Sequence, residues 1–159
     1  MTSLYLRKEH IIALSHHFLR NVLPPGIGER NAQMLFLRFL QEVCGAAKVE
    51  HRVINGRIDF RIGGTNPVVL ELAVRNETCP NALYGSQNKP ELKKLAQVPQ
   101  TRAKMRYLLL LDNCIENMDV ERVWLSYAKQ SPHELGIFDA NPICVIYVHR
   151  KGQNAFSWP

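Results

Sequence analysis

The sequence predicts an α/β fold, a mixed β-sheet with helices packed on its faces. Three observations carry this expectation. The hydrophobic period shifts from helical to two near residue 48, Asn55-Gly56 joins two alternating segments, and Tyr107-Leu108-Leu109-Leu110-Leu111 is a continuous apolar run. A strand covered on both faces reads as such a run. Asn-Gly favours a tight hairpin because both positions tolerate positive φ.

The segment from about Ser3 to Val22 is helical in pattern, with Ile11, Ile12, Leu14, Phe18, Leu19 and Val22 apolar, and Pro24-Pro25-Gly26 stops it. A second helix is expected from Gly28 to Cys44. Its residues Ala32, Leu35, Phe36, Phe39, Leu40 and Val43 recur every three or four positions as one buried stripe, and Gly45 is a natural stop. Lys48 to Ile54 reads as the first strand. Arg57 to Ile62 is the second, with Ile58, Phe60 and Ile62 on one face and Asp59 on the other. Gly63-Gly64-Thr65-Asn66 turns the chain into a third strand, Val68 to Val74, which completes an antiparallel meander. There Leu70, Leu72 and Val74 share one face, while Val69, Glu71, Ala73 and Arg75 share the opposite one. A polar loop through Lys89 leads to a helix starting near Pro90, buried through Leu92, Leu95 and Ala96 and ended or kinked by Pro99. The run at 107–111 follows as a strand. Asp119 caps a helix carrying Val120, Val123, Trp124 and Tyr127, of which Trp124 and Tyr127 read as core, and Ile143 to Val148 forms the last strand. Phe156 and Trp158 are left to pack onto the domain or onto a second subunit.

Composition bounds the function. The chain has 159 residues, 46% hydrophobic and 21% charged, which suits one globular domain spanning 1–159 and argues against general disorder. No repeat, low-complexity tract or linker divides it. No apolar run approaches the roughly 20 residues that span a bilayer, so no membrane partner is expected. The N-terminus puts charge after its few apolar residues, the reverse of a secretory signal. Cys44, Cys79, Cys114 and Cys144 are scattered, indicating neither a zinc ribbon nor a disulfide framework, so a cytoplasmic location is expected. The 20 Lys+Arg against 14 Asp+Glu, net +6, mildly favour a polyanionic partner.

The informative pair is Asp59 and Glu71. Each interrupts an apolar-alternating strand, and adjacent antiparallel strands can bring them together. Two neighbouring carboxylates repel unless a cation neutralises them, and Mg²⁺ favours one or two carboxylates plus water. The competing reading is a solvated sheet face. Around the pair, Gly28-Glu29-Arg30-Asn31-Ala32 opens a helix, Glu50 lies in the first strand, Arg57-Ile58-Asp59-Phe60 in the second and Val68-Val69-Leu70-Glu71-Leu72 in the third. From Gly28 to Asp112 this order resembles the PD-(D/E)XK nuclease superfamily, the restriction-endonuclease-like fold with an αβββαβ core, here preceded by an extra N-terminal helix. The resemblance implies a Mg²⁺-dependent nuclease (Mn²⁺ as substitute) hydrolysing phosphodiester bonds in DNA. It implies metal binding by Asp59, Glu71 and the Leu72 carbonyl, with Glu29 in the place of an assisting helix carboxylate. Glu29 also reads as an ordinary helix-start residue favoured by the macrodipole. Nuclease cores of this size often pair with themselves or another subunit, so a homodimer or larger assembly suits the reading.

One departure matters most. The family motif ends Glu-x-Lys, and this chain reads Glu71-Leu72-Ala73. Three explanations compete: an inactivating Lys→Ala change at position 73, a cation supplied by Arg75, Lys93 or Lys94, or a catalytically inactive module that binds nucleic acid or a protein. Arg52, Arg57, Arg61 and Arg75 surround the proposed site, and Lys89, Lys93, Lys94, Arg102, Lys104 and Arg106 follow it. Of these, Arg57, Arg61, Arg75, Lys93 and Lys94 are the candidate DNA contacts, through phosphate. Taken alone, the 89–106 run reads as a charged helix surface. Gln87 and Gln97 are weaker candidates. His16 and His17 diverge by about 100° on a helix, His10 and His17 lack a companion carboxylate, and Cys79 lacks a His/Asn pattern. Gly26-Ile27-Gly28-Glu29 lacks the third glycine of a phosphate loop.

Overall fold

Among the described residues six strands lie side by side, in the order in which the chain makes them. They are β1 (Val49–Val53), β2 (Ile58–Ile62), β3 (Val68–Arg75), β4 (Met105–Asp112), β5 (Ile143–His149) and β6 (Gly152–Trp158). The computed structural model describes residues 5–130 and 143–158, so the expected helix start at Ser3 lies outside the described residues. The first three strands form the expected meander. β4 then runs parallel to β3, β5 parallel to β4, and β6 antiparallel to β5. The fold is therefore α/β with a mixed sheet flanked by helices. Among the described residues no helix is long and apolar enough to cross a membrane.

Helices cover both sheet faces. On one side α1 (Lys8–His17), its π-helical extension Phe18–Val22 and α2 (Glu29–Cys44) bury Ile11, Phe18, Ala32, Phe36 and Phe39 against Phe60, Leu70, Leu72, Leu109 and Ile146. Phe36 meets Phe18 and Phe60 edge-on, at centroid distances of 4.9 and 5.3 Å. On the other side α3 (Lys89–Ala96) and α4 (Val120–Ala128) bury Leu92, Leu95, Val123 and Tyr127 against Val69, Ala73, Leu108 and Val145. Leu108 to Leu111 are fully buried, as their continuous apolar run requires of a strand covered twice.

Local signals hold well. Asn55 and Gly56 take φ of 61° and 73°, and Arg57 N–H closes the turn on the Ile54 carbonyl at 3.3 Å. Gly45 ends α2 at φ 94°, and Asp119 caps α4 by accepting from Glu121 N–H. Four expectations need correction. Val43 is 53% exposed, on the solvent side of α2, although Cys44 beside it still packs against the core. Trp124 lies on the outer side of α4 at 43% exposure, against the edge of Phe156, while Tyr127 is buried as expected. A final strand, β6, carries Phe156 and Trp158 back onto this chain, where Trp158 Nε1–H donates to the Tyr127 carbonyl at 2.9 Å.

The correction that positions the site concerns β2. Ile58 belongs to the core beneath α3 and α4, whereas Phe60 and Ile62 belong to the core beneath α1 and α2. A regular strand would keep all three on one face. The β2–β3 ladder runs only from Phe60↔Leu70 to Ile62↔Val68 and stops short of Asp59. On the other side of β2, Arg52 falls opposite Asp59 in the β1 register and has a φ of 53°, in the left-handed region. The strand therefore turns over at Asp59, between its two pairing partners.

Candidate active site

Where β2 leaves the ladder, the edge of β3 has backbone amides without a strand partner. Side chains take over this role. Leu72 N–H donates to Asp59 Oδ2 at 3.1 Å, and Gln33 Nε2 from α2 donates to the same oxygen at 3.4 Å. Asp59 is thus fixed by one main-chain and one side-chain donor. Farther along the edge, the Val74 backbone favours the ionised form of the Glu29 carboxylate. The kink in β2 converts a pairing edge into an acidic cleft.

The cleft holds about 490 Å³ and is lined by Glu29, Arg30, Gln33, Arg52, Asp59, Glu71, Leu72, Glu91 and Lys94. Asp59, Glu71 and Leu72, the expected metal set, meet here together with Glu29. Glu71 is the deepest of them, at 1% exposure on the central part of β3. Among the described residues its Oε1 has no hydrogen-bond donor, and the nearest cation is Lys94 Nζ at 3.5 Å, an ion pair without hydrogen-bond geometry. Burial, followed by the Asp59 carboxylate, pushes the Glu71 carboxyl up to about 9, with Lys94 opposing. Glu29 is an exposed residue, yet its carboxyl end is crowded by the cleft, Asp59 and Glu91, which raise it above the usual carboxylate range.

Lys94 reaches this point because α3 is anchored by Leu92 and Leu95, both fully buried. That anchoring turns Glu91 and Lys94, one helical turn apart, toward the cleft, and Lys94 Nζ also lies 3.7 Å from Glu91 Oε1. The ammonium stands beside Glu71 although the chain has no lysine at position 73. Ala73 is itself 2% exposed and sits in the apolar core with Val69, Leu92, Leu95 and Leu108.

Other expected site residues go elsewhere. Arg75 turns from the cleft to the far end of β3, where Nε and Nη2 grip the two oxygens of fully buried Asp112 at 2.8 and 2.9 Å. Arg61 pairs with Glu50 at 3.1 Å and donates to the Arg102 carbonyl. Lys93 is exposed and does not line the cleft. Arg106 is buried and donates to the Val98 carbonyl. Arg57 and Gln97 line an adjoining hollow of about 260 Å³ with Ile54, Asn55 and Lys94, so Lys94 borders both spaces. Gln33, Arg30 and Glu91 were not singled out by the sequence pattern. A signal existed for two of them: Gln33 is four residues after Glu29 and Glu91 three before Lys94, the spacings that share a helix face.

Among the described residues no group of three or more His, Cys, Asp or Glu is spaced to hold a metal ion. The smaller donor set nevertheless suits Mg²⁺. Two carboxylates are enough when waters complete the shell. The Leu72 carbonyl points to the same strand edge as the Leu72 N–H that meets Asp59. The buried Glu71 Oε1, with no hydrogen-bond donor, is an acceptor that a hard divalent cation fits. No protein-family model, curated protein or solved structure matches this chain.

Proposed function

We propose that this chain is a metal-dependent nuclease with a restriction-endonuclease-like core, hydrolysing phosphodiester bonds in DNA. Asp59, Glu71 and the Leu72 carbonyl hold Mg²⁺ or Mn²⁺, and Lys94 supplies the cation that Ala73 cannot. The observation that carries the reading is the meeting of Asp59, Glu71 and a lysine ammonium in one cleft, with Lys94 Nζ 3.5 Å from Glu71. The element order α2-β1-β2-β3-α3-β4 supports it, since it follows the αβββαβ plan.

When bound, the metal lowers the pKa of water and stabilises charge on a phosphoryl group. The protein's own groups do the rest. Gln33 and the Leu72 amide fix the direction of Asp59. Lys94 orients the attacking water, and its ammonium stabilises negative charge on the phosphate. Water oxygen bonds to phosphorus as the water gives up a proton to solvent, the P–O bond to the leaving oxygen breaks, and that oxygen takes a proton from solvent. Glu29, whose carboxyl is held above the usual range, stands at the rim to exchange protons with solvent. Arg52 and Arg30 line the same cleft, and Arg57 the next hollow, where they neutralise phosphates.

The test is a nuclease assay of the parent, Lys94→Met, Asp59→Asn and Ala73→Lys chains on linear and branched DNA, with Mg²⁺, Mn²⁺ or EDTA. The parent is expected to cut only with metal, and Asp59→Asn and Lys94→Met to lose the activity. Cleavage gained only by Ala73→Lys overturns the role of Lys94 and makes position 73 the disabling residue. If no protein cuts, the chain is a nuclease-like binding module.

A further inference from the structure

Lys94 faces two carboxylates at once. Its Nζ is 3.5 Å from Glu71 Oε1 and 3.7 Å from Glu91 Oε1. The two partners differ in kind. The Glu71 side chain is 1% exposed on a central strand, whereas that of Glu91 is 26% exposed and lies one turn before Lys94 on the same helix. A divalent cation held by Glu71 competes with the ammonium for the same oxygen, because both are hard cations seeking a carboxylate. Without another acceptor, metal binding drives the lysine out of the cleft when the chemistry needs it there.

We propose that Glu91 is a positioning residue that keeps Lys94 in the cleft when a divalent cation takes Glu71. The metal and the ammonium then occupy the site together instead of displacing each other. This rests on the nuclease reading above. The geometry asks for little movement: both oxygens are already within 4 Å of Nζ, so a rotation at the end of the lysine side chain shifts it between them. The helix itself stays, held by Leu92 and Leu95 in the core. The other charged groups of the cleft, Glu29, Asp59, Arg30 and Arg52, come from α2, β1 and β2 and are common to both positions.

The proposal fixes the sign of a coupling that Mn²⁺ titration calorimetry on the full chain can read. Lys94→Met removes the competitor and is expected to bind Mn²⁺ about fivefold more tightly, the scale of one partly exposed ion pair. Glu91→Gln leaves the ammonium resting on Glu71 alone and is expected to bind about fivefold more weakly. Glu91→Asp, which keeps the carboxylate, returns toward the parent. In the Lys94→Met background, Glu91→Gln is expected to change the affinity less than about twofold, since there is no ammonium left to hold. Unfolding midpoints in EDTA establish that each variant is folded. If Glu91→Gln weakens Mn²⁺ equally with and without Lys94, Glu91 acts only through its own charge on the cation. The positioning role is then overturned while the nuclease reading stands. A parent chain that binds no Mn²⁺ overturns both.

Discussion

Replacing Glu71 by Gln should make the metal-free protein more stable, increasingly so as pH rises. Glu71 is 1% exposed, and its carboxyl is pushed from 4.5 up to about 9 by burial and by Asp59. An acid with a folded pKa above its unfolded value keeps its proton in the native chain after the unfolded chain has lost it. The folded state therefore binds more protons between about 4.5 and 9, and stability is complete below 4.5 and falls as pH climbs through that window. At about 1.4 kcal/mol per pH unit, the loss by pH 7 is roughly 3 kcal/mol. Gln keeps the shape of Glu71 and does not titrate. The expected gain at pH 7 is thus roughly 3 kcal/mol, or about 6–12 °C in melting temperature for a chain of this size. The assay is thermal unfolding followed by circular dichroism in EDTA at several values between pH 5 and 8. A parent curve that stays flat over this range, or a variant that declines in parallel with it, refutes the reasoning. Excess Mn²⁺ should raise the melting temperature of the parent and leave Glu71→Gln almost unmoved.

Three further outcomes follow from contacts elsewhere. A Cβ on Gly85 would collide with the Ser126 carbonyl oxygen, a backbone atom of α4, so Gly85→Ala should cost about 2–4 kcal/mol, measurable by urea unfolding. Arg75→Leu takes the cationic partner from the fully buried Asp112, which keeps its Tyr147, Met118 and Cys114 donors, and should cost about 3–5 kcal/mol, yet leave Mn²⁺ affinity of the folded protein unchanged; a loss of Mn²⁺ binding would place Arg75 at the cleft after all. Arg52→Ala and Arg57→Ala should weaken binding to a short DNA duplex and each lower the salt dependence by about one phosphate contact, whereas Arg61→Ala, already paired with Glu50, should change little in a fluorescence titration.

Much of this protein was determined by the sequence alone, because the deciding interactions are local. The stripe Ala32, Phe36, Phe39 and Leu40, the Asn55-Gly56 turn, the Asp119 cap and the doubly covered run in β4 each depend on residues a few positions apart. Asp59 and Glu71 stood out for the same reason, as charges set into alternating apolar strands. Tertiary structure decided what depends on distant partners. Val43 and Trp124 fit their apolar patterns and are exposed, since periodicity cannot say how far neighbouring elements cover a helix face. The weakly patterned Gly152–Trp158 became a strand because β5 offered it an edge. Arg75 alternates onto the face of Glu71, yet buried Asp112 at the end of β4 draws it away. Lys94 replaces it beside Glu71 because Leu92 and Leu95 set the rotation of α3. The turning-over of β2 at Asp59 arises from two pairing partners, β1 and β3, that the strand alone does not contain. Composition and period determine which residues are buried or charged, but only the packing of separate elements determines which charges meet.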